Sequence, residues 1–210
     1  MDDRGSTAES VGAHPVVDNS TATRLPRAAA ALFREKGFAS ATTRELAERL
    51  GIQKASLYHH IRSKEDLLYA ISMESLSHIR AAVERAYSDA YATPEERLKS
   101  MIVAHVTTAL SDRDLHATML TELRALSSDR RRKVLDARDE YESLLRDAVL
   151  EEQEAGRIRT DFDARYLTLS LLNLLNWTIF WFDPEGEQPA EEIARILATI
   201  YFEGAQKNGS

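Results

Sequence analysis

The chain has no cysteine among its 210 residues. Disulfides, thiol catalysis, iron–sulfur clusters and cysteine-ligated zinc are excluded on that ground, and a reducing compartment fits. Glycine and proline are scarce, at eight and five. Turns are therefore few, and long helices are favoured over many short strands. No run approaches the roughly 18 consecutive apolar residues that span a bilayer. The first 24 residues lack a basic start followed by an apolar run, so no secretion signal is read there and a cytoplasmic location is expected. Positive charge is also short: 27 Lys and Arg against 34 Asp and Glu give a net −7. Taken alone, that balance disfavours nucleic acid as a partner.

What is present qualifies the last point. The hydrophobic fraction of 43% and charged fraction of 29% match an ordinary globular chain with a real core. The charge is uneven. Residues 24–70 hold nine Lys and Arg against five Asp and Glu, whereas residues 71–210 hold 17 against 25. A small basic module joined to a larger acidic body is a compositional sign of a nucleic-acid-binding segment. Residues 1–23 lack periodicity and read as a disordered tail.

Hydrophobic periodicity predicts an all-α chain of nine helices. The first runs from about Arg24 to Gly37, and the second from a Thr42/Glu45 capping box to Gly51. The third covers Gln53 to Ile61, and Ser63 caps a long fourth. Thr93-Pro94 opens the fifth, and a short sixth carries Leu115, Met119, Leu120 and Leu123. The seventh runs from Ser128 to Gly156, the eighth from Ala164 to Phe182, and the ninth starts near Pro189.

Two short helices separated by a glycine turn have the layout of a helix-turn-helix, whose second helix enters the major groove. Gln53, Lys54 and Ser56 cluster at the start of that helix, where base edges are met, and Tyr58, His60 and Lys64 offer donors to phosphates. Thr43 and Arg44 stand in the first turn of the helix before it, whose amides can face a phosphate. Tyr58 also fits a core aromatic. Arg49 and Arg62 read as solvated charges. His59 and His60 point about 100° apart on a helix, which disfavours a shared metal.

The run Thr42-Thr43-Arg44-Glu45-Leu46-Ala47, then Gly51-Ile52, then Ser56-Leu57-Tyr58-His59-His60-Ile61-Arg62-Ser63-Lys64-Glu65-Asp66-Leu67, resembles the signature of the tetracycline-repressor (TetR/AcrR) family. The resemblance covers residues 24–70. It implies a nine-helix homodimeric transcriptional regulator, usually a repressor, released from a palindromic double-stranded DNA operator by a small molecule. It implies a DNA-binding domain over 24–70 and a ligand-binding and dimerisation domain over 71–210. By motif position, Thr43 and Arg44 would touch backbone, Lys54, Ala55 and Ser56 would face bases, and Tyr58, His60 and Lys64 would hold phosphates. Many members carry other residues at Ala55-Ser56, so base preference does not transfer.

In the acidic body, polar residues on otherwise apolar helix faces outline a candidate pocket. These are His105 near Met101, Glu122 near Met119, Tyr141, Asn173 and Asn176, with Trp177 beside them. The predicted eighth helix is apolar nearly all round and must be covered on several sides. The family resemblance makes Leu171, Leu174, Leu175, Thr178, Ile193, Ile196, Leu197 and Ile200 the expected dimer interface. The segment from Asn173 to Gly186 resembles members that sense acyl-CoA thioesters, and the run Arg130-Arg131-Arg132-Lys133 offers a clamp for CoA phosphates.

An all-helical di-iron enzyme needs paired Glu-x-x-His motifs, and the chain has none. It also lacks a phosphate loop, G-x-S-x-G and HExxH. No enzyme activity, cofactor or metal is expected. A helical interaction module that does not read DNA leaves the Thr-Thr-Arg and Leu-Tyr-His-His patterns without a reason.

Overall fold

The computed structural model describes residues 21–88 and 92–205. Those residues form ten α-helices and one 3-10 turn. The first twenty residues of the expected tail lie outside the described residues. Its last three, 21–23, form the opening turn of α1 (Thr21–Lys36).

Local sequence sets most helix ends. Thr42 is extended, accepts from the Glu45 amide, and receives the Glu45 carboxylate on its own amide before α2 (Thr43–Leu50). The same reciprocal box, Thr93 with Glu96, precedes α5 (Pro94–Ser111). Each satisfies two of the amides that a helix start leaves unpaired. Ser63 caps α4 (Lys64–Tyr87), and Asp163 caps α8 (Ala164–Asn176). Other elements of the body are the short α6 (Arg113–Thr121) and the longer α7 (Ser128–Glu154) and α10 (Ala190–Ala205).

Two predicted helices are shorter than their periodicity suggests. The recognition helix, expected over Gln53–Ile61, is the single turn α3 (Lys54–Leu57). Beyond it, His59 and His60 bond to the carbonyls three residues back, tightening the chain out of α geometry. The expected continuous helix over 164–182 breaks at Trp177 into α8 and a short α9 (Thr178–Trp181). There the Thr178 hydroxyl donates to the Leu175 carbonyl at 2.7 Å, the kind of side-chain bond that bends a helix.

Two apolar clusters divide the interior. The body cluster holds Met101, Ile102, Leu145, Val149, Leu171 and Leu175. The second cluster packs α1, α2 and α3 with Leu67, Leu68 and Ile71 of α4, and with Leu115 and Met119 of α6 and Val134 of α7. The helix-turn-helix is thus built on the body. Helix α4 runs without a break through the expected boundary at residue 70.

Polar contacts follow the same seam. Arg27 pairs with both oxygens of Asp112 at 2.9 and 3.2 Å. Arg34 reaches Asp114 at 2.9 Å, and the Thr118 hydroxyl donates to the Ala30 carbonyl at 3.3 Å. The exposed pairs contribute about 0–1 kcal/mol each. The buried apolar contact dominates. Leu115 is 1% exposed, so Leu115→Ala is expected to cost about 2–5 kcal/mol in urea unfolding followed by circular dichroism.

Candidate nucleic-acid interface and effector cavity

Helix α2 ends on Gly51 at φ 69°, a left-handed turn that favours glycine, with its amide bonded to carbonyls of the last turn. Leu46, Ala47, Leu50 and Leu57 are buried behind the turn and hold α3 against α2. The outer side carries Arg44, Lys54, Ala55, Tyr58 and His60 exposed, with Thr43 and Ser56 half-buried among them. Thr43 Oγ1 lies 3.3 Å from the Tyr58 hydroxyl, and the Lys54 ammonium sits 6.0 Å from the centre of the Tyr58 ring. Arg44 is tethered to Glu48 at 2.9 Å one turn on. Tyr58 is 49% exposed, so the core reading of this residue is set aside. Seven of the eight expected DNA contacts thus keep their side chains at least partly at the surface of α2, α3 and the turn after it.

Lys64 is the exception. Its ammonium turns inward and donates to the carbonyls of Phe38, Ala39 (3.2 Å) and Ala41 (2.8 Å). All three belong to the loop that joins α1 to α2. The ammonium also lies 4.5 Å from the centre of the Phe38 ring. Lysine carries three donors and no acceptor, and here all three are used within the chain. Lys64 positions the reading head rather than offering its charge outward.

In the body, a cavity of about 190 Å³ lies between α4, α5, α6, α7 and α8. His105, Met119, Tyr141, Asn173 and Asn176 line it, as expected from sequence. Three expected residues do not. Met101 is sealed in the body core, where its helix packs deepest. Glu122 lies at the seam, its carboxylate accepting from the Phe38 amide at 3.3 Å. Trp177 points outward, 64% exposed, its ring tilted against that of Phe180 with centres 4.7 Å apart.

His116 and Arg138 also line the cavity and were missed. His116 met the same criterion as His105, a polar residue among Leu115, Met119 and Leu120. It accepts from Ser75 Oγ through Nδ1 at 3.1 Å and donates through Nε2 to Asn176 Oδ1 at 3.0 Å. His105 Nδ1 lies 2.6 Å from the Tyr141 hydroxyl, and the two imidazoles meet edge to face at 5.8 Å. Burial drives both imidazoles toward the neutral form, the Asn176 side chain opposes it in part, and smaller pushes come on His105 from His116 and on His116 from Arg138. Their pKa values fall to about 3 for His105 and about 4 for His116.

The expected phosphate clamp is partly taken. Arg130 pairs with Asp66 and, at 3.4 Å, with Glu65, both at the start of α4. Its guanidinium also lies 5.7 Å from the centre of the Tyr69 ring. The Ser127 amide donates to Glu65 at 2.9 Å. These contacts fasten the start of α7 to the reading head.

The expected dimer residues split in two. Leu171, Leu175, Thr178 and Leu197 are buried within the subunit's own core. Leu174 and Ile193 are half-buried, and Ile196 and Ile200 are exposed. Tyr166, beside Ile200, and Trp177, Phe180 and Trp181 are also exposed, which leaves large apolar area open on this end of the body. A patch of that kind marks an interaction surface.

Two family descriptions match the chain: "Bacterial regulatory proteins, tetR family" over residues 26–71, and "Tetracyclin repressor-like, C-terminal domain" over residues 91–205. The chain belongs to the TetR family. This TetR-family protein is accordingly a DNA-binding transcriptional regulator and not an enzyme. The HTH-type transcriptional repressor KstR2 of Mycobacterium tuberculosis is 28% identical over 193 residues, or 91% of this chain and 96% of that protein. The crystallised regulator PfmR of Thermus thermophilus is 36% identical with a TM-score of 0.79, covering 88% of this chain and all of that one. AibR, solved in complex with isovaleryl coenzyme A and operator DNA, is 28% identical with a TM-score of 0.75, covering 86% and 97%. Among the described residues, no helix is long and apolar enough to cross a membrane.

His105 and His116 titrate lower in the folded chain than the 6.5 of a free imidazole, so the unfolded state binds more protons below that pH. Their contribution to stability is complete above about pH 6.5 and falls as pH drops toward 4. Urea midpoints measured from pH 7.5 to 4.5 should decline less steeply in His116→Gln than in wild type. For the reading head, Lys54→Ala should change which DNA sequences are preferred more than it changes the slope of log affinity against log salt. Lys64→Met should weaken binding to every DNA sequence with that slope unchanged.

Proposed function

We propose that this regulator is a repressor that grips a palindromic operator as a homodimer and leaves it when a small apolar group, such as the acyl part of a CoA thioester, enters the α4–α8 cavity. The observation that carries this reading is the double duty of α6. His116 and Met119 line the cavity, while Leu115 and Thr118 anchor the same helix to the reading head. A ligand that displaces α6 moves the head with it.

The exposed apolar face of α8, α9 and α10 supplies the dimer contact in this reading. Two heads must then sit about 34 Å apart to enter successive major grooves. An effector that favours another spacing weakens DNA binding by its differential affinity for the two arrangements. A coupling of about 1–3 kcal/mol, the usual range, gives roughly 5- to 150-fold release. The thioester class is suggested by AibR, solved with isovaleryl coenzyme A, and by the segment from Asn173 to Gly186.

The test is selection from a random double-stranded DNA pool with the purified full chain, repeated with fatty and aromatic CoA thioesters. The expected result is an enriched palindrome that one thioester releases. A palindrome indifferent to every thioester removes the effector class and leaves the DNA role. No enrichment at low salt removes the operator reading as well.

A further inference from the structure

We infer that the α4–α8 cavity selects a compact, neutral effector group, a single ring or a short branched chain, whose acceptor oxygen is received by His105 Nε2–H. This rests on the effector reading above and assigns its site a chemical class.

Size comes first. The cavity measures about 190 Å³. An engineered apolar cavity of about 150 Å³ in another protein holds benzene, so this one takes roughly seven or eight non-hydrogen atoms. Pockets for drug-sized ligands start near 300 Å³, which leaves a four-ring nucleus outside. Much of the wall is apolar, including Leu76, Ile79, Met119 and Leu172.

The polar end follows from counting hydrogens. Tyr141 is buried, and its hydroxyl meets only His105 Nδ1. If Nδ1 carried the imidazole proton, the phenol proton would lack an acceptor and Nε2 would lack a donor. If the phenol donates to Nδ1, a single group is left over, the Nε2–H. Nε2 is indeed a buried atom with no hydrogen-bond partner of normal geometry, and the nearby Asn176 oxygen is held by His116 at 3.0 Å. His116 cannot supply one, since its two nitrogens are committed to Ser75 and Asn176. Buried donors are rarely left unpaired without a functional reason. A carbonyl or ether oxygen of the effector completes this one.

Neutrality follows from the charged residues on the wall. Arg138 stands there with Asp139 and Glu142, so the local balance is negative. A carboxylate would enter against it. Both imidazoles are also neutral, because burial disfavours their charged form.

The experiment uses the full chain labelled with 15N-histidine, titrated with cyclohexanone, methylcyclohexane, cyclohexanecarboxylate and progesterone. Cyclohexanone should move the His105 nitrogen resonances and bind about tenfold tighter than methylcyclohexane, the worth of one neutral hydrogen bond. In His105→Phe the two should bind alike. If that variant fails to fold, the wild-type comparison of ketone with hydrocarbon decides alone. Equal wild-type affinities overturn the His105 assignment. Tighter binding of the carboxylate overturns the neutral class, and progesterone binding as well as cyclohexanone overturns the size limit. If no probe moves His105 or His116, the inference falls. The effector reading then survives only if a thioester still releases the selected DNA.

Discussion

Helix α6 is nine residues long, and each of its faces is committed to a different part of the molecule. One face closes the second apolar cluster with Leu115 and Met119, and Thr118, Asp112 and Asp114 tie it to α1. The other face gives His116 to the cavity and, through Asn176, to the end of α8. Arg113 reaches across to the Ile179 carbonyl at 2.6 Å, just past the break between α8 and α9. Interiors are close-packed and rearrange in discrete steps rather than by continuous deformation. A short helix wedged between a reading head and a cavity therefore shifts as a unit or not at all.

The polar groups of the body are arranged around that wedge. Ser75, His116 and Asn176 form a satisfied chain, whereas His105 and Tyr141 form a pair with one hydrogen to spare. Burying such groups costs several kcal/mol unless they find partners. Their presence in the middle of apolar helix faces makes sense if something other than the chain itself completes them. The same economy governs Lys64 and Arg130. Both looked like free cations for an anionic partner, and both are bound within the chain: Lys64 to three carbonyls, Arg130 to Asp66 and Glu65. They shape the α1–α2 loop and the α4–α7 junction that present the remaining basic residues.

How far the sequence could be read depended on whether the signal was local. The capping box at Thr42, the Thr93 cap with Pro94, and the stops at Gly37, Gly51 and Gly156 placed helix ends correctly, because a cap involves only residues within one turn. The all-α class followed from periodicity for the same reason. The helix-turn-helix was legible because its contacts span only about 25 residues. The break at Trp177 was not, because apolar residues continue on both sides of it without Gly or Pro and the bend depends on one hydroxyl–carbonyl bond.

Composition and spacing by themselves determined an all-helical chain with a basic segment on an acidic body. Tertiary structure alone decided which of the apolar and charged residues remain available. Leu171 and Ile200 lie on neighbouring apolar helices, and only packing shows that the first is sealed in the core and the second is 54% exposed. Trp177 and His116 have the same kind of ambiguity with opposite outcomes, one facing outward and one lining the cavity. The physical reason is that helical periodicity fixes which residues share a face, while the neighbour that covers that face comes from a segment distant in sequence.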